Sequence, residues 1–172
     1  YIDEETQLQL AKHPYLLCRK HLAENPSITD RTVETLLAGR AISVKHNLIS
    51  ANRLDDRPDI IEEIYFGSGT RFKESWRVGT VFLRGGWYGS SPNTPLSVLN
   101  DIYDKIIEPE AIATEASSAW ACSHWGRHLA SHPNVDSKLA VKLSLSKIEN
   151  TRKAAFDAIV RIRQEEVKAA SA

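Results

Sequence analysis

Short Leu-Ala-x-x-Pro segments recur along this 172-residue chain, and they constrain its fold more than any other feature. Residues 10–14 read Leu-Ala-Lys-His-Pro, residues 22–26 read Leu-Ala-Glu-Asn-Pro, and residues 129–133 read Leu-Ala-Ser-His-Pro. Proline disfavours the α-helical conformation in the residue before it, so each Leu-Ala pair marks the last turn of a helix. A helix end that recurs in this way predicts a repeated helical unit.

Pro26, Pro92 and Pro133 are each followed by a polar turn with a helix-capping candidate and then by a helical stripe of apolar residues. Thr94 before Pro95 is a signal of the same kind, with Thr94 predicted as the N-cap and Pro95 as the first helical residue. A second short helix follows in the better preserved units. The unit is therefore turn, helix, tight turn, helix, and the last helix is predicted to span about 149–169.

This unit resembles the leucine-rich repeat variant, a relative of the HEAT-like α-solenoids, whose unit runs Asn-Pro, a turn, Leu-x-x-Leu-Ala, a second turn, then Val-Arg and an alanine-rich helix. Residues 14–51 and 133–159 carry the match, whereas residues 57–125 match only in pieces. The resemblance implies an all-α fold, a right-handed solenoid of about four to five helix-turn-helix repeats. We expect residues 1–172 to form one such domain. Because the chain opens on Tyr1 and contains no Met, we also expect it to be a fragment of a longer protein.

Residues 79–95 interrupt the helical pattern with glycines and prolines that predict an irregular insert. Trp and Tyr between glycines are typical of a binding loop, because Trp, Tyr and Arg dominate interface hot spots. The alternative is a long connection whose aromatic side chains fold back onto the core. The candidate partner-binding residues, in this loop, in the segment before it and on the repeat helices, are Arg84, Trp87, Tyr88, Arg71, Arg77 and Lys45.

Nucleic-acid binding is the alternative function. Lys and Arg number 22 and Asp and Glu number 22, so the formal net charge is zero and a strongly basic tail is excluded. Successive second helices of a HEAT-like stack can nevertheless align their basic residues into a stripe. The other interpretation is that each basic residue serves its own repeat structurally or is solvated. The residues of the predicted stripe are Arg19, Lys20, Lys45, Arg127, Arg152 and Lys153.

Reactive side chains form no pattern typical of an enzyme. His124 and His128 lie one helical turn apart, a spacing that can chelate zinc. However, His128 and His132 occupy the places that His21 and Asn25 hold in the earlier segment, which favours a structural role. No nucleophile elbow and no phosphate-binding loop occurs. We therefore expect no metal and no cofactor, and the sequence favours a non-catalytic function, with enzymatic activity as a third alternative.

The remaining composition bears on membrane association, disulfide bonding and cellular location. Its apolar runs are far shorter than the ~18 residues that a membrane span needs. Two cysteines form no disulfide framework, and no signal peptide opens the chain. The sequence thus predicts a cytoplasmic, non-catalytic scaffold that binds another protein through the concave face of its repeats and the central loop, without a membrane partner.

Overall fold

The computed structural model describes residues 2–67, 88, 91–104 and 126–171 of the chain. All regular secondary structure in these residues is helical, which confirms the all-α prediction for them. The chain divides into two compact units, Tyr1–Lys73 and Glu74–Ala172, called here the N-terminal and the C-terminal unit. That the whole chain forms one domain stays a prediction.

The N-terminal unit contains two helix pairs of the same length and spacing, followed by one further helix. Helix α1 begins at residue 4 and α3 at residue 30, so the first helices recur after 26 residues. The second helices, α2 and α4, begin 26 residues apart as well, at residues 16 and 42. The helices are α1 Glu4–Ala11, α2 Leu16–Glu24, α3 Asp30–Leu37, α4 Ile42–Ser50 and α5 Pro58–Gly67.

The first helices of both pairs begin with a side-chain cap. Asp3 accepts a hydrogen bond from the backbone N–H of Thr6, and Thr29 accepts one from that of Thr32. Such caps satisfy N–H groups that have no partner inside the helix. The backbone N–H and the side chain of Thr6 hold the pKa of the exposed Asp3 carboxyl below its usual value. The caps therefore set where each pair begins.

Gln7 joins the starts of α1 and α3. This buried side chain donates to the carbonyl of Ser27 at 3.2 Å and accepts from the Thr29 N–H at 3.0 Å and the Thr32 hydroxyl at 3.2 Å. It also donates to the Ile2 carbonyl at 2.8 Å. A buried amide with all these bonds satisfied fixes the position of one helix start against the next.

The C-terminal ends of α2 and α4 are joined in a similar way. Arg53, just after α4, donates to the carbonyls of Pro26 at 3.0 Å and Ile28 at 2.7 Å, which follow α2. Asn47 of α4 donates to the Glu24 carboxylate at 2.7 Å. Helix α1 thus packs on α3 and α2 on α4, with equivalent ends together. Since α2 and α4 have nine residues each and pack with equivalent ends together, we expect their N-terminal ends to lie near each other as well.

The C-terminal unit contains a third pair with the same internal spacing. Helix α7 has eight residues, like α1 and α3. The start of α8 lies 12 residues after the start of α7 (137 to 149), and the start of α2 lies 12 residues after that of α1 (4 to 16). Helix α7 packs along α8. Residues 126–130 are also helical. The labelled helices of this unit are α6 Leu96–Ile102, α7 Ser137–Ser144 and α8 Glu149–Ala170.

The residue before proline plays the same part in each of the three recurring segments. His13, Asn25 and His132 each accept a hydrogen bond from the backbone N–H two residues later, at 2.9–3.1 Å. This is the local bond of an Asx-type turn, with imidazole Nδ1 in the place of an amide oxygen in two cases. The structure therefore supports the structural role that the repeat pattern indicated for His132.

Of two helix boundaries predicted from the sequence, the structure shows one to be wrong and confirms the other. The N-cap of α6 is Pro95 rather than the predicted Thr94, whose buried hydroxyl instead donates to the Tyr88 carbonyl at 2.6 Å. The long last helix is confirmed and ends at Ala170. Over the residues described here, no helix combines the length and the apolar character that a membrane span requires.

Candidate functional site

Charge is segregated within the two helix pairs of the N-terminal unit. Between residues 2 and 54 every acidic residue lies in the first five positions of α1 or α3, at the N-cap of α1, or at the end of α2. Residues 6–23 and 35–54 contain no Asp or Glu. The helix dipole favours the acidic residues at the starts of α1 and α3, which are Asp3, Glu4, Glu5 and Asp30, but not Glu34 or Glu24. The opposite side carries unopposed basic residues.

We call that opposite side the basic edge. It consists of the tight turns that join the first and second helices, residues 12–15 and 38–41, together with the N-terminal halves of α2 and α4. It combines five basic and four apolar side chains. These residues are Lys12, Tyr15, Leu16, Leu17, Arg19, Lys20, Arg40, Ile42 and Lys45.

The apolar residues of the basic edge are exposed. Tyr15 is 61% exposed and Leu17 47%, while Leu16 and Ile42 are 39% and 37% exposed. Leu16 and Ile42 are the first residues of α2 and α4, so they hold equivalent places on neighbouring helices. Isolated exposed apolar residues are common, but several together on adjacent elements are typical of an interaction surface.

Arg19 and Lys45 lie one turn further along α2 and α4, again at equivalent places 26 residues apart (19 to 45). Both side chains are half-buried, and the Nε atom of Arg19 is buried with no hydrogen-bond partner. No carboxylate within the described residues pairs with either one. A ligand carboxylate would pair with the charge of the half-buried Arg19 side chain rather than with the enclosed Nε atom itself.

The helices that begin at this edge have no caps of their own. Neither Tyr15 nor Ala41, the N-cap residues of α2 and α4, makes a side-chain capping bond, and neither helix has an acidic residue in its first turn. The edge therefore has positive helix ends as well as basic side chains. Its electrostatic potential is expected to be positive although the net charge of the chain is zero.

The predicted nucleic-acid residues are divided between the two units. Arg19, Lys20 and Lys45 lie together on the basic edge. In the C-terminal unit Arg127 and Lys153 are exposed, but Arg152 is half-buried and donates to the Ser146 carbonyl at 2.9 Å. Arg152 is the fourth residue of α8, just as Arg19 is the fourth residue of α2. In this pair, therefore, the basic residue stabilises the tight turn.

The candidate residues of the central insert are largely outside the described part of the chain. Arg71, Arg77, Arg84 and Trp87 fall there, and nothing tests them. Tyr88 is described and is 1% exposed. Its ring is thus turned inward, as the alternative of aromatics folding back onto the core requires, and does not form an exposed anchor.

Only one residue of the candidate metal pair lies in the described part of the chain. His124 falls outside the described residues, and His128 lies exposed on the helical stretch 126–130. Where the chain is described, no group of three or more His, Cys, Asp or Glu side chains is arranged to hold a metal ion.

His132 instead links two turns of the C-terminal unit. Its Nδ1 accepts from the Asn134 N–H, so Nε2 carries the proton and donates to the Ser91 carbonyl at 2.7 Å. Asn134 adds bonds to the carbonyls of Pro92 at 3.2 Å and Thr94 at 3.0 Å. Burial lowers the pKa of His132 below its ordinary value, and the nearby Arg161 charge acts in the same direction.

A second exposed apolar surface lies along α8. Phe156, Val160 and Val167 are each more than half exposed on one side of this helix. Charges of both signs flank them, because Arg163 pairs with Glu166 at 2.9 Å. This surface therefore has no charge preference that would select one kind of partner.

Comparison of the chain with protein-family models, with curated proteins and with solved structures finds no match. The candidate site therefore depends on the geometry alone. Sequence reasoning found Arg19, Lys20 and Lys45 but missed the other residues of the edge, which are Lys12, Arg40, Tyr15, Leu16, Leu17 and Ile42. A signal was present, because apolar residues open both second helices in a stretch without acidic residues.

Proposed function

We propose that this chain is an α-solenoid repeat domain of the leucine-rich-repeat-variant or HEAT-like kind, that its function is to bind another protein, and that it has no catalytic role. The solenoid arrangement is supported by the 26-residue recurrence of α1–α2 in α3–α4 and by the recurrence of the same pair spacing in α7–α8. In such repeats, equivalent positions line up into extended binding surfaces.

One observation carries the proposal. Leu16 and Ile42, the first residues of adjacent second helices, expose apolar surface in a region with unopposed basic residues. A core role would bury these side chains, and a purely solvated helix end would be polar. The partner is therefore proposed to bind at the basic edge, Lys45 included. Contributions from Arg71, Arg77, Arg84 and Trp87 remain part of the proposal.

Site-specific photo-crosslinking tests this function. A photoreactive amino acid at Leu17 is expected to form an adduct with a protein in the source cell, and protease should remove that adduct whereas nuclease should not. The matched control is Asn150, which is also the second residue of its helix and also exposed. Equal yields at the two positions, or no adduct at Leu17, would contradict the proposal.

Nucleic-acid binding is the second candidate, favoured by the equivalent positions of Arg19 and Lys45 on an acid-free edge. Binding to phosphates weakens steeply with salt, so a retardation assay at about 50 mM and 200 mM salt decides it. Loss of binding on Arg19→Glu with Lys45→Glu would support this candidate. No retardation at the lower salt concentration would end it.

A further inference from the structure

We propose that the basic edge recognises an acidic protein segment that carries aliphatic or aromatic side chains. The inference rests on the proposed function and adds the chemistry of the partner. It follows from two properties that the same surface combines, exposed apolar area and positive charge without acidic residues. An acidic amphipathic segment complements both of them.

The apolar contact would extend across two helices. Leu16 and Ile42 are equivalent residues of α2 and α4, which pack directly on each other. Packed helix axes are about 8–10 Å apart, so neighbouring side chains of one segment can contact both residues. Tyr15 and Leu17 widen the surface beside α2.

The shape of this apolar surface favours a protein over a membrane. Interfacial segments bury their apolar face several ångströms deep among the lipid acyl chains. Leu16 and Ile42 are less than half exposed, so much of each side chain is already packed against the protein. These two residues form a shallow surface that a docking segment can cover, beside the more exposed Tyr15 and Leu17.

The charged groups surround these apolar residues. Lys12 and Arg40 are exposed on the two tight turns, while Arg19 and Lys45 lie half-buried one helical turn beyond Leu16 and Ile42. Carboxylates of a bound segment would pair with Arg19 and Lys45, which have no carboxylate partner among the described residues. Nucleic acid fits less well, because base stacking needs aromatic platforms and Tyr15 is the one aromatic residue among the nine that define the edge.

Fluorescence anisotropy with defined peptides tests the chemistry of the partner on the full chain. The probe is a labelled 16-residue peptide of Glu, Leu and Phe with the apolar residues at helical i, i+3 and i+4 spacing. Two reference peptides replace every Glu by Lys or every Leu and Phe by Ser. The acidic amphipathic peptide is expected to bind at least about 10-fold more tightly than either, and more weakly as salt screens the charges.

The site is tested with residues that the third pair already carries at the same places. Leu16→Glu with Leu17→Asn copies Glu149 and Asn150, so the N-terminal end of the helix should fold as that of α8 does. This variant should weaken peptide binding at least about 10-fold. Val160→Glu on the exposed side of α8 makes the same change in net charge and should leave binding within about 2-fold.

Several results would overturn the proposal. Equal binding of the acidic and the Lys-containing peptides would do so, as would equal losses from Leu16→Glu with Leu17→Asn and from Val160→Glu. Tighter binding of a 20-nucleotide single-stranded RNA, or of phosphatidylserine vesicles, with the same sensitivity to the Leu16 and Leu17 changes would assign the edge to another class of ligand. If no peptide binds but a photoreactive group at Leu17 still captures a protein, the proposed function stands and this inference fails. If neither occurs, both fail.

Discussion

The tight turn between α7 and α8 has the same place in its helix pair as the tight turns of the N-terminal unit, yet it carries different surface residues. Glu149 and Asn150 open α8, where Leu16 and Leu17 open α2. The basic residue four positions into the helix is kept, as Arg152 in one case and Arg19 in the other. The two regions thus share a framework but not a surface.

This difference separates framework from function. Arg152 donates to the Ser146 carbonyl in its own tight turn, so a basic residue at this place can serve the fold of the pair. The exposed apolar residues at the start of α2 and α4 serve no such role, whereas α8 starts with polar residues and the exposed apolar residue of its region is Leu145, at the beginning of the tight turn. The apolar residues, more than the basic ones, therefore distinguish the basic edge as a binding surface.

The largest expected effect on the free energy of unfolding comes from Gln7, which joins the starts of α1 and α3. Gln7→Leu in the N-terminal unit should lower the free energy of unfolding by about 3 kcal/mol, because the buried N–H of Thr29 and hydroxyl of Thr32 lose their acceptor. Gln9→Leu, the same change at an exposed place on α1, should cost less than about 0.5 kcal/mol. Urea unfolding measures both. Similar losses would show that Gln7 does not join the pairs.

A close helix contact in the C-terminal unit gives the next effect. Gly126 precedes Arg152 of α8 by the same number of residues as Arg19 precedes Lys45 of α4. A Cβ atom at Gly126 would lie 2.5 Å from the Thr151 hydroxyl. Gly126→Ala should therefore destabilise the protein by about 2 kcal/mol.

Thr151→Ala should recover most of that loss, since it removes the two nearest atoms. Gly67→Ala, which meets nothing within 4 Å in α5, serves as the control and should not destabilise. Thermal unfolding of the single and double variants checks the pair. An additive loss in the double variant would contradict the contact.

The caps of the first helices should behave alike in both regions. Thr29→Ala and Asp136→Ala each remove an N-cap acceptor, of the Thr32 and the Leu139 N–H respectively, and should each cost about 1 kcal/mol. Thr29→Ser and Asp136→Asn keep an acceptor and should cost much less. Denaturant midpoints provide the measurement, and a loss at only one of the two caps would break the equivalence of the pairs.

The smallest effect is a pH dependence confined to the C-terminal unit. Because burial lowers the pKa of His132 in the folded protein, the unfolded chain binds a proton first as the pH falls below about 6.5. Stability should therefore be complete above that pH and decrease below it, until the folded protein is protonated as well.

His132→Asn, which copies Asn25, should remove this contribution while keeping the bond to the N–H of Asn134. Unfolding curves of both proteins between pH 7.5 and 5.5 give the difference. An identical pH dependence of the two proteins would show that His132 is not responsible.

Much of the fold could be predicted because it depends on local signals. The residues before proline end helices in the same way in all three segments, and the start of the last helix at Glu149 follows from the same repeat. The bonds of Gln7 to the Thr29 region and of His132 to Ser91 span more than 20 residues, and no local pattern indicates them.

Arg19, Lys20 and Lys45 of the candidate site were predicted from the sequence, whereas Lys12, Arg40 and the apolar residues were not. The net charge of zero hides a separation of acidic from basic residues along the helix pairs. This separation can be predicted once the acidic residues are assigned to helix starts. Leu16 and Leu17, in contrast, resemble ordinary core residues in sequence. Only the packing shows that they open α2 on its exposed side and that Tyr88 is buried instead.

The most direct test is to map the binding surface by nuclear magnetic resonance. The ¹⁵N-labelled chain is titrated with the acidic amphipathic peptide, and backbone amide shifts are followed in both units. The account predicts the largest shifts at residues 12–20 and 38–45, and small shifts at the equivalent residues 145–153. Largest shifts in 145–153, or along the exposed side of α8, would contradict it.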